Sequence, residues 1–343
     1  MKKSFLALFF LCLSFTSVYS QTVIGKYSGE FLSIGAGGRA SAMGGAHVAI
    51  VNDVTAGYWN PAGLARMNYP QISLMHEEHF GNLVNYNYGA VAIPYGSDMS
   101  FGLSIIRLSV DGIPDTRNAL YDANGDGILD IHTDRLDYSK ITEFNNTDWA
   151  FYLSFAKRQT SDFYWGASVK IIKRDIAEAS AFGIGFDVGA YYMPMENLHL
   201  GATIQDVTTT IQAWSTGRNE LITPTAKVGA AYSITALGGT ILPALDLDVR
   251  FENRKTASMF NVGPISFDAH AGFEYKYKNA FAIRAGYSDV KQFTVGAGFF
   301  LPKIQVDYSF ARFSQSETER LPDTHRISIM LTLEETKFLR EGL

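Results

Sequence analysis

Apolar and polar residues alternate in about fourteen short runs between Gln71 and Leu333, the period of extended strands whose successive side chains face opposite sides. The runs lie near 71-78, 86-94, 99-110, 148-158, 163-173, 181-193, 198-206, 225-234, 242-252, 264-277, 280-288, 291-301, 303-313 and 324-334. In Leu245-Asp246-Leu247-Asp248-Val249-Arg250-Phe251 the odd positions are apolar and the even ones charged. A helix would spread that charge around its whole circumference. Phe267, Ala269, Ala271 and Phe273 alternate likewise with Asp268, His270, Gly272 and Glu274. A sheet with lipid on one face and water on the other requires this pattern, in strands of roughly 9 to 11 residues. The predicted class is all-β: a transmembrane antiparallel β-barrel of about fourteen strands. Asp246, Asp248, Arg250, Asp268, His270, Glu274, Arg284 and Asp307 then project into a polar lumen.

The connections sort by length. Tight joins fall at 95-98, 159-162, 193-197, 277-279 and 301-303, with a looser one at 235-241. They alternate with connections at 79-85, 111-147, 174-180, 207-224, 253-263, 289-290 and 314-323, of which only 289-290 is short. Barrels of the outer membrane use short periplasmic turns and long outer loops, so the parity predicts an even strand count with both termini periplasmic.

Met1 to Ser20 reads as a secretory signal, with Lys2 and Lys3 ahead of the apolar run Phe5 to Phe15, and predicts export to a Gram-negative outer membrane. Downstream no stretch approaches the roughly 18 apolar residues of a spanning helix. The only cysteine, Cys12, lies inside the signal, which leaves no disulfide to expect. Glycine, tyrosine and phenylalanine are abundant, and the net charge of −5 excludes the basic face that nucleic acid needs. The expected organisation is signal 1-20, hatch segment 21-70, barrel 71-334 with a long outer loop at 111-147, and a periplasmic tail at 335-343.

The hatch segment carries Gly37-Gly38-Arg39-Ala40, Met43-Gly44-Gly45-Ala46 and Trp59-Asn60-Pro61-Ala62-Gly63. Glycine at this density lets backbone pass close to backbone, and Asn-Pro-Ala-Gly is turn chemistry opening a short helix. So small a segment cannot form its own core and is expected to plug the barrel. These residues resemble the N-terminal hatch of FadL-type outer-membrane proteins and, more closely, the PorV/PorQ family of Bacteroidota. The likeness extends to Arg135-Leu136-Asp137-Tyr138 and Thr324-His325-Arg326-Ile327-Ser328. At Gly63, where the PorV pattern has lysine, the chain departs toward the broader family. The resemblance implies a component or accessory of type IX protein secretion that binds exported proteins at the cell surface. Its partners would be outer-membrane lipid, the type IX translocon and the C-terminal domains of secreted cargo. The alternative it implies is a FadL-like transporter of long-chain fatty acids or other hydrophobic molecules.

One motif carries candidate metal chemistry. Asp122, Asn124, Asp126 and Asp130 place oxygens at positions 1, 3, 5 and 9 of a calcium-type loop, with the Ile128 carbonyl at position 7. Position 12 is Thr133, and Asp134 is the substitute donor, so calcium is the expected cofactor. His76-Glu77-Glu78-His79 lacks zincin spacing, and a strand turns its two histidines to opposite faces. Tyr191, Tyr192, Trp165 and Phe299 read as interfacial aromatics. Nothing singles out a catalytic set, so no enzyme is expected.

Overall fold

The computed structural model describes residues 21–24, 28–79, 83–252, 258–289, 291–313 and 323–340. The signal segment and residues 341-343 of the tail lie outside them. A closed 14-strand antiparallel barrel is formed by Gln71–His79, Val84–Tyr95, Met99–Asp115, Thr142–Arg158, Phe163–Ile176, Ala179–Met195, Leu198–Gln205, Thr225–Tyr232, Gly239–Arg250, Ile265–Tyr277, Phe281–Tyr287, Gln292–Leu301, Ile304–Phe313 and Thr324–Thr332. The last strand pairs with the first, Gln71 opposite Thr332 and Glu78 opposite His325, which leaves the barrel no free edge. Among the described residues no helix is long and apolar enough to cross a membrane.

Side-chain parity explains why these segments become barrel strands. Leu245 is 65% exposed while its neighbour Asp246 is 4% exposed. Leu74, Phe101, Leu153, Ile184, Ile283 and Val295 likewise stand on the outside, an apolar band that water would not tolerate and lipid requires. Serines, tyrosines and ion pairs fill the opposite face.

Several connections differ from the alternation of lengths. The barrel wall is nearly continuous at 174-180, where strands end at Ile176 and resume at Ala179. There a turn with Ala177 at φ 48° suffices. The stretch 207-224 is largely sheet, since Thr210–Trp214 continues the seventh strand beside Phe182–Ile184 and Arg218–Ile222 pairs back onto it. The long outer loop is shorter than 111-147, because pairing persists to Asp115 opposite Thr142. At the tight-turn end, Arg340 of the tail folds back, its guanidinium donating to the carbonyls of Met67 (2.9 Å) and Met99 (2.8 Å) and to Ser100 Oγ (2.6 Å).

Inside the barrel, residues 28–67 form a plug of short turns, with helices at Gly38–Ala42 and Ala56–Trp59 and a 3₁₀ segment at Pro61–Arg66. Its apolar side chains, among them Val51, Val54, Trp59 and Leu64, share a core with Tyr86, Tyr88, Ile106, Tyr152 and Ile172 of the wall.

Candidate functional site: the plugged lumen

Glycines on the inner wall let the plug seat backbone against backbone. A Cβ on Gly286 would stand 2.2 Å from Gly44 N, one on Gly201 2.4 Å from Val48 O, and one on Gly166 2.6 Å from Pro61 C. The register puts Gly201 beside Gly229 and Gly272 beside Gly286, so the wall recedes in patches where the plug meets it.

The hatch motif residues follow from local chemistry. Asn60 caps the Pro61–Arg66 turn, accepting from Ala62 N at 3.2 Å, and Pro61 occupies the first turn, where its missing N–H costs nothing. The Asn60 amide also donates to Val48 O and Ala190 O, both at 3.0 Å, tying plug to wall. Trp59 Nε1 donates to Ala36 O at 2.8 Å. Gly38 N donates to Ser328 Oγ at 3.0 Å, Gly44 O accepts from His270 Nδ1 at 2.8 Å, and Ala42 O accepts from Thr294 Oγ1 at 3.0 Å. Met43 and Gly45 press on the wall at Gly272 and His270, and Gly63 lies against Val51 O.

All eight residues assigned from the sequence to a polar lumen are buried inside the barrel, seven of them in two networks. In the first, Arg39 of the plug makes a two-pronged bond to Glu274 (2.9 Å each), and Arg284 donates to Glu274 (2.6 Å) and to Asp307 (2.7 Å). Burial opposes the Arg39 charge, but Glu274 outweighs it and holds the guanidinium pKa above its ordinary value. In the second, Asp248 gathers Lys227 (2.6 Å), Arg250 (3.2 Å) and His270 (3.6 Å), and Arg250 also pairs with Asp268. Asp246 stands apart as a latch, its carboxylate accepting from the plug amides of His47 (2.7 Å) and Val48 (2.8 Å). Burial, and then the Arg39 charge, push the His47 pKa well below its usual range, which keeps that ring neutral.

Sequence reasoning missed several buried partners. Lys170 lies between Asp187 (3.1 Å) and Asp206 (2.9 Å), Glu77 pairs with Arg326, and Asp148 with Arg174 (2.8 Å). Parity was the available signal, since Lys170 alternates with the outward Val169 and Ile171. His79 turns inward to Glu77 (3.1 Å), while His76 faces out beside Asn87 (2.8 Å). Tyr191 is a correction among the aromatics. Adjacent residues on a strand face opposite ways, so Tyr192 is exposed outside, but Tyr191 is buried beneath the Arg66 guanidinium at 4.1 Å.

The plug divides the lumen. On the outer side lies a cavity of 530 Å³, lined by Ile34, Trp59, Val84, Leu108 and Phe313 together with charged residues of the second network. On the tight-turn side a cavity of 650 Å³ is lined by polar groups including Arg39, Arg66, Gln71 and Lys276.

No protein-family model matches the chain, and no curated protein matches it in sequence. Solved structures do match its fold. The barrel is built like that of known hydrocarbon transporters. The toluene transporter TbuX of Ralstonia pickettii superposes with a TM-score of 0.59 at 13% identity, over 87% of this chain and 98% of that chain. The toluene transporter TodX of Pseudomonas putida gives 0.54 at 15%, over 87% and 97%. The monoaromatic hydrocarbon channel CymD gives 0.55 at 13%, over 88% and 98%. At these identities the likeness is one of fold.

In the outer loop, the calcium-type residues bond to the loop's own amides. Asp122 accepts from Gly125 N (2.6 Å) and Gly127 N (2.8 Å), and Asn124 Oδ1 from Asp126 N (2.9 Å). Asp130 Oδ1 accepts from His132 N (2.9 Å), and Asp134 accepts from Ala123 N (3.0 Å) and Asp130 N (2.9 Å). The amides of Asp130 and Ala123 hold the Asp134 carboxyl below its usual range. Ile128, at position 7, points its side chain into solvent. Among the described residues no group of three or more His, Cys, Asp or Glu side chains is arranged to hold a metal.

Proposed function

We propose that this chain is an outer-membrane transporter of hydrophobic small molecules, exported by its first twenty residues, which admits its ligand from the cell surface into the cavity above the plug. The observation that carries this reading is the 530 Å³ outer cavity, where Trp59 and aliphatic side chains offer an apolar bed beside the charged second network. The transporters that share the fold support it. This reverses the order in which the sequence alone ranks the two readings. Binding and passage, rather than catalysis, are the proposed activity. The test is extraction of the detergent-purified protein, with mass spectrometry of bound apolar molecules, and toluene uptake by cells that express it. Uptake is expected to exceed that of control cells, and Trp59→Ala is expected to lower ligand occupancy several-fold. Uptake equal to the control and an empty lumen would sink the reading.

A second reading, capture of exported proteins in type IX secretion, draws support from the outer loop. Ile128, Leu129, Ile131 and Tyr138 there are 61% to 79% exposed, apolar side chains carried by the outer loop beyond the ends of the paired strands. Calcium at Asp122 to Asp134 belongs to this proposal as the agent that stiffens the loop, supported by the sequence spacing. Removing residues 116–141, between the ends of the paired strands, is expected to abolish retention of exported proteins in pull-downs without unfolding the barrel, and chelation to weaken it. Calcium titration by calorimetry, with Asp126→Ala as the comparison, separates a metal effect from loss of the loop.

A further inference from the structure

We propose that the outside of the wall, where the last strand meets the first three, binds a phosphorylated acyl lipid of the outer leaflet, with an acyl chain in a notch at Gly89 and the phosphate on Arg107. The proposal is independent of what the lumen carries.

Strand register places an apolar row directly beneath a polar one on this outward face. Ile329, Leu74, Gly89 and Ile105 stand opposite one another across the four strands. One step nearer the outer loops, the same face carries Ile327, His76, Asn87 and Arg107. In the lower row Gly89 has no side chain, and a recess of 580 Å³ lies there. A Cβ on Gly89 would meet Ile105 Cγ2 at 3.3 Å and Leu74 Cδ2 at 3.6 Å, so those two side chains flank the notch. Main-chain pairing passes through these rows without a shift in register. The recess is therefore a groove in the outside of the wall and not an opening into the lumen.

The polar row marks the level of the lipid headgroups. Trp149 of the fourth strand, opposite Arg107, is an aromatic of the interfacial kind, and just above it the third strand shifts register between Val110 and Ile113 before entering the outer loop. Arg107 lies over the Trp149 ring, 5.6 Å from its centroid. Among the described residues it is the cation of this stretch of rim that has no carboxylate. Lys173 is paired with Asp175 (2.9 Å), and His76 is shared between Glu78 (3.4 Å) and Asn87 (2.8 Å).

A guanidinium at the top of an apolar groove, its fork of N–H donors unanswered by any acid, matches a phosphate in charge and geometry. Asn87, beside it in the row, brings an amide as a second donor. A water-soluble partner could reach the polar row but not the groove beneath it, which lies in the apolar band. An acyl lipid fills both at once, and basic sites at this depth are the kind that hold anionic headgroups.

The test is native mass spectrometry of the full barrel, delipidated in detergent and titrated with phosphorylated lipid A or with lipid A stripped of its phosphates. Wild type is expected to bind lipid A saturably and the stripped form more weakly. Arg107→Gln is expected to weaken lipid A binding about ten-fold, the effect of losing one charge-assisted hydrogen bond, and to leave the stripped form unchanged. Gly89→Leu fills the notch and is expected to weaken both. Lys173→Gln, whose charge Asp175 already answers, is expected to bind as wild type does. Folding of each variant is read from its heat-dependent shift on gels. Where Gly89→Leu fails to fold, Arg107→Gln and the two lipids decide. Equal binding by wild type and Arg107→Gln, or an equal loss in Lys173→Gln, would leave this face with bulk lipid alone and overturn the proposal. Equal affinity of wild type for the two lipids overturns it too.

Discussion

Gly286→Ala is expected to unseat the plug while leaving the wall intact. The added methyl would lie 2.2 Å from Gly44 N and 2.3 Å from Met43 C, both backbone atoms of the plug. Neither can rotate away as a side chain would, and Gly44 is itself pressed on the wall, 2.5 Å from Tyr287 N if it carried a Cβ. Overpacking of this kind typically costs about 1–3 kcal/mol. The plug can escape it by giving up neighbouring bonds, such as those from His47 N and Val48 N to Asp246. Single-channel recordings in planar bilayers are expected to be silent for wild type and to show open events for Gly286→Ala, with unchanged circular dichroism. Gly89→Ala, where the methyl would meet the Ile105 side chain at 3.3 Å on the lipid face, is expected to stay silent. Equal conductance in the two variants would mean that the glycine seats do not hold the plug.

Lys170→Met is expected to destabilise the folded barrel by roughly 3–5 kcal/mol, the usual effect of removing one partner from a buried ion pair. Lys170, Asp187 and Asp206 are all nearly inaccessible, so the change leaves two carboxylates facing each other without a cation. The damage should concentrate at the wall bulge of residues 206–209. There Asp206 and Thr209 adopt φ 56° and 59°, held by the Asp206 N bond to Asp187 (2.8 Å) and the Thr209 N bond to Asp206 O (2.8 Å). The temperature at which the folded band shifts on gels is expected to fall. Adding Asp187→Asn and Asp206→Asn should restore part of the loss, because the uncompensated charge would be gone. A triple variant no better than Lys170→Met would assign the effect to packing instead.

Parity along the chain determined the barrel. Lipid on one side and a polar interior on the other force every second residue to be apolar, so Leu245 to Phe251 and its counterparts declare their faces without a partner in view. The same rule placed Asp248, Glu274 and Arg284 inside. The Asn60-Pro61 pair was legible for a similar reason, because a cap and a first-turn proline act within a few residues.

Tertiary structure decided whatever depends on what lies across the lumen or across a connection. Loop length misread 174-180 and 207-224, since a two-residue turn or a continuing hairpin is chosen by strand register that no single segment carries. Strand parity turns Tyr191 inward, but its partners there, Arg66 and His199, the latter 2.5 Å from its hydroxyl, come from the plug and from the next strand. The seats at Gly166, Gly201 and Gly286 are glycines like any others in the sequence, and only the plug backbone opposite them gives each its purpose. Local alternation is written residue by residue, whereas the meeting of plug and wall joins positions more than a hundred residues apart.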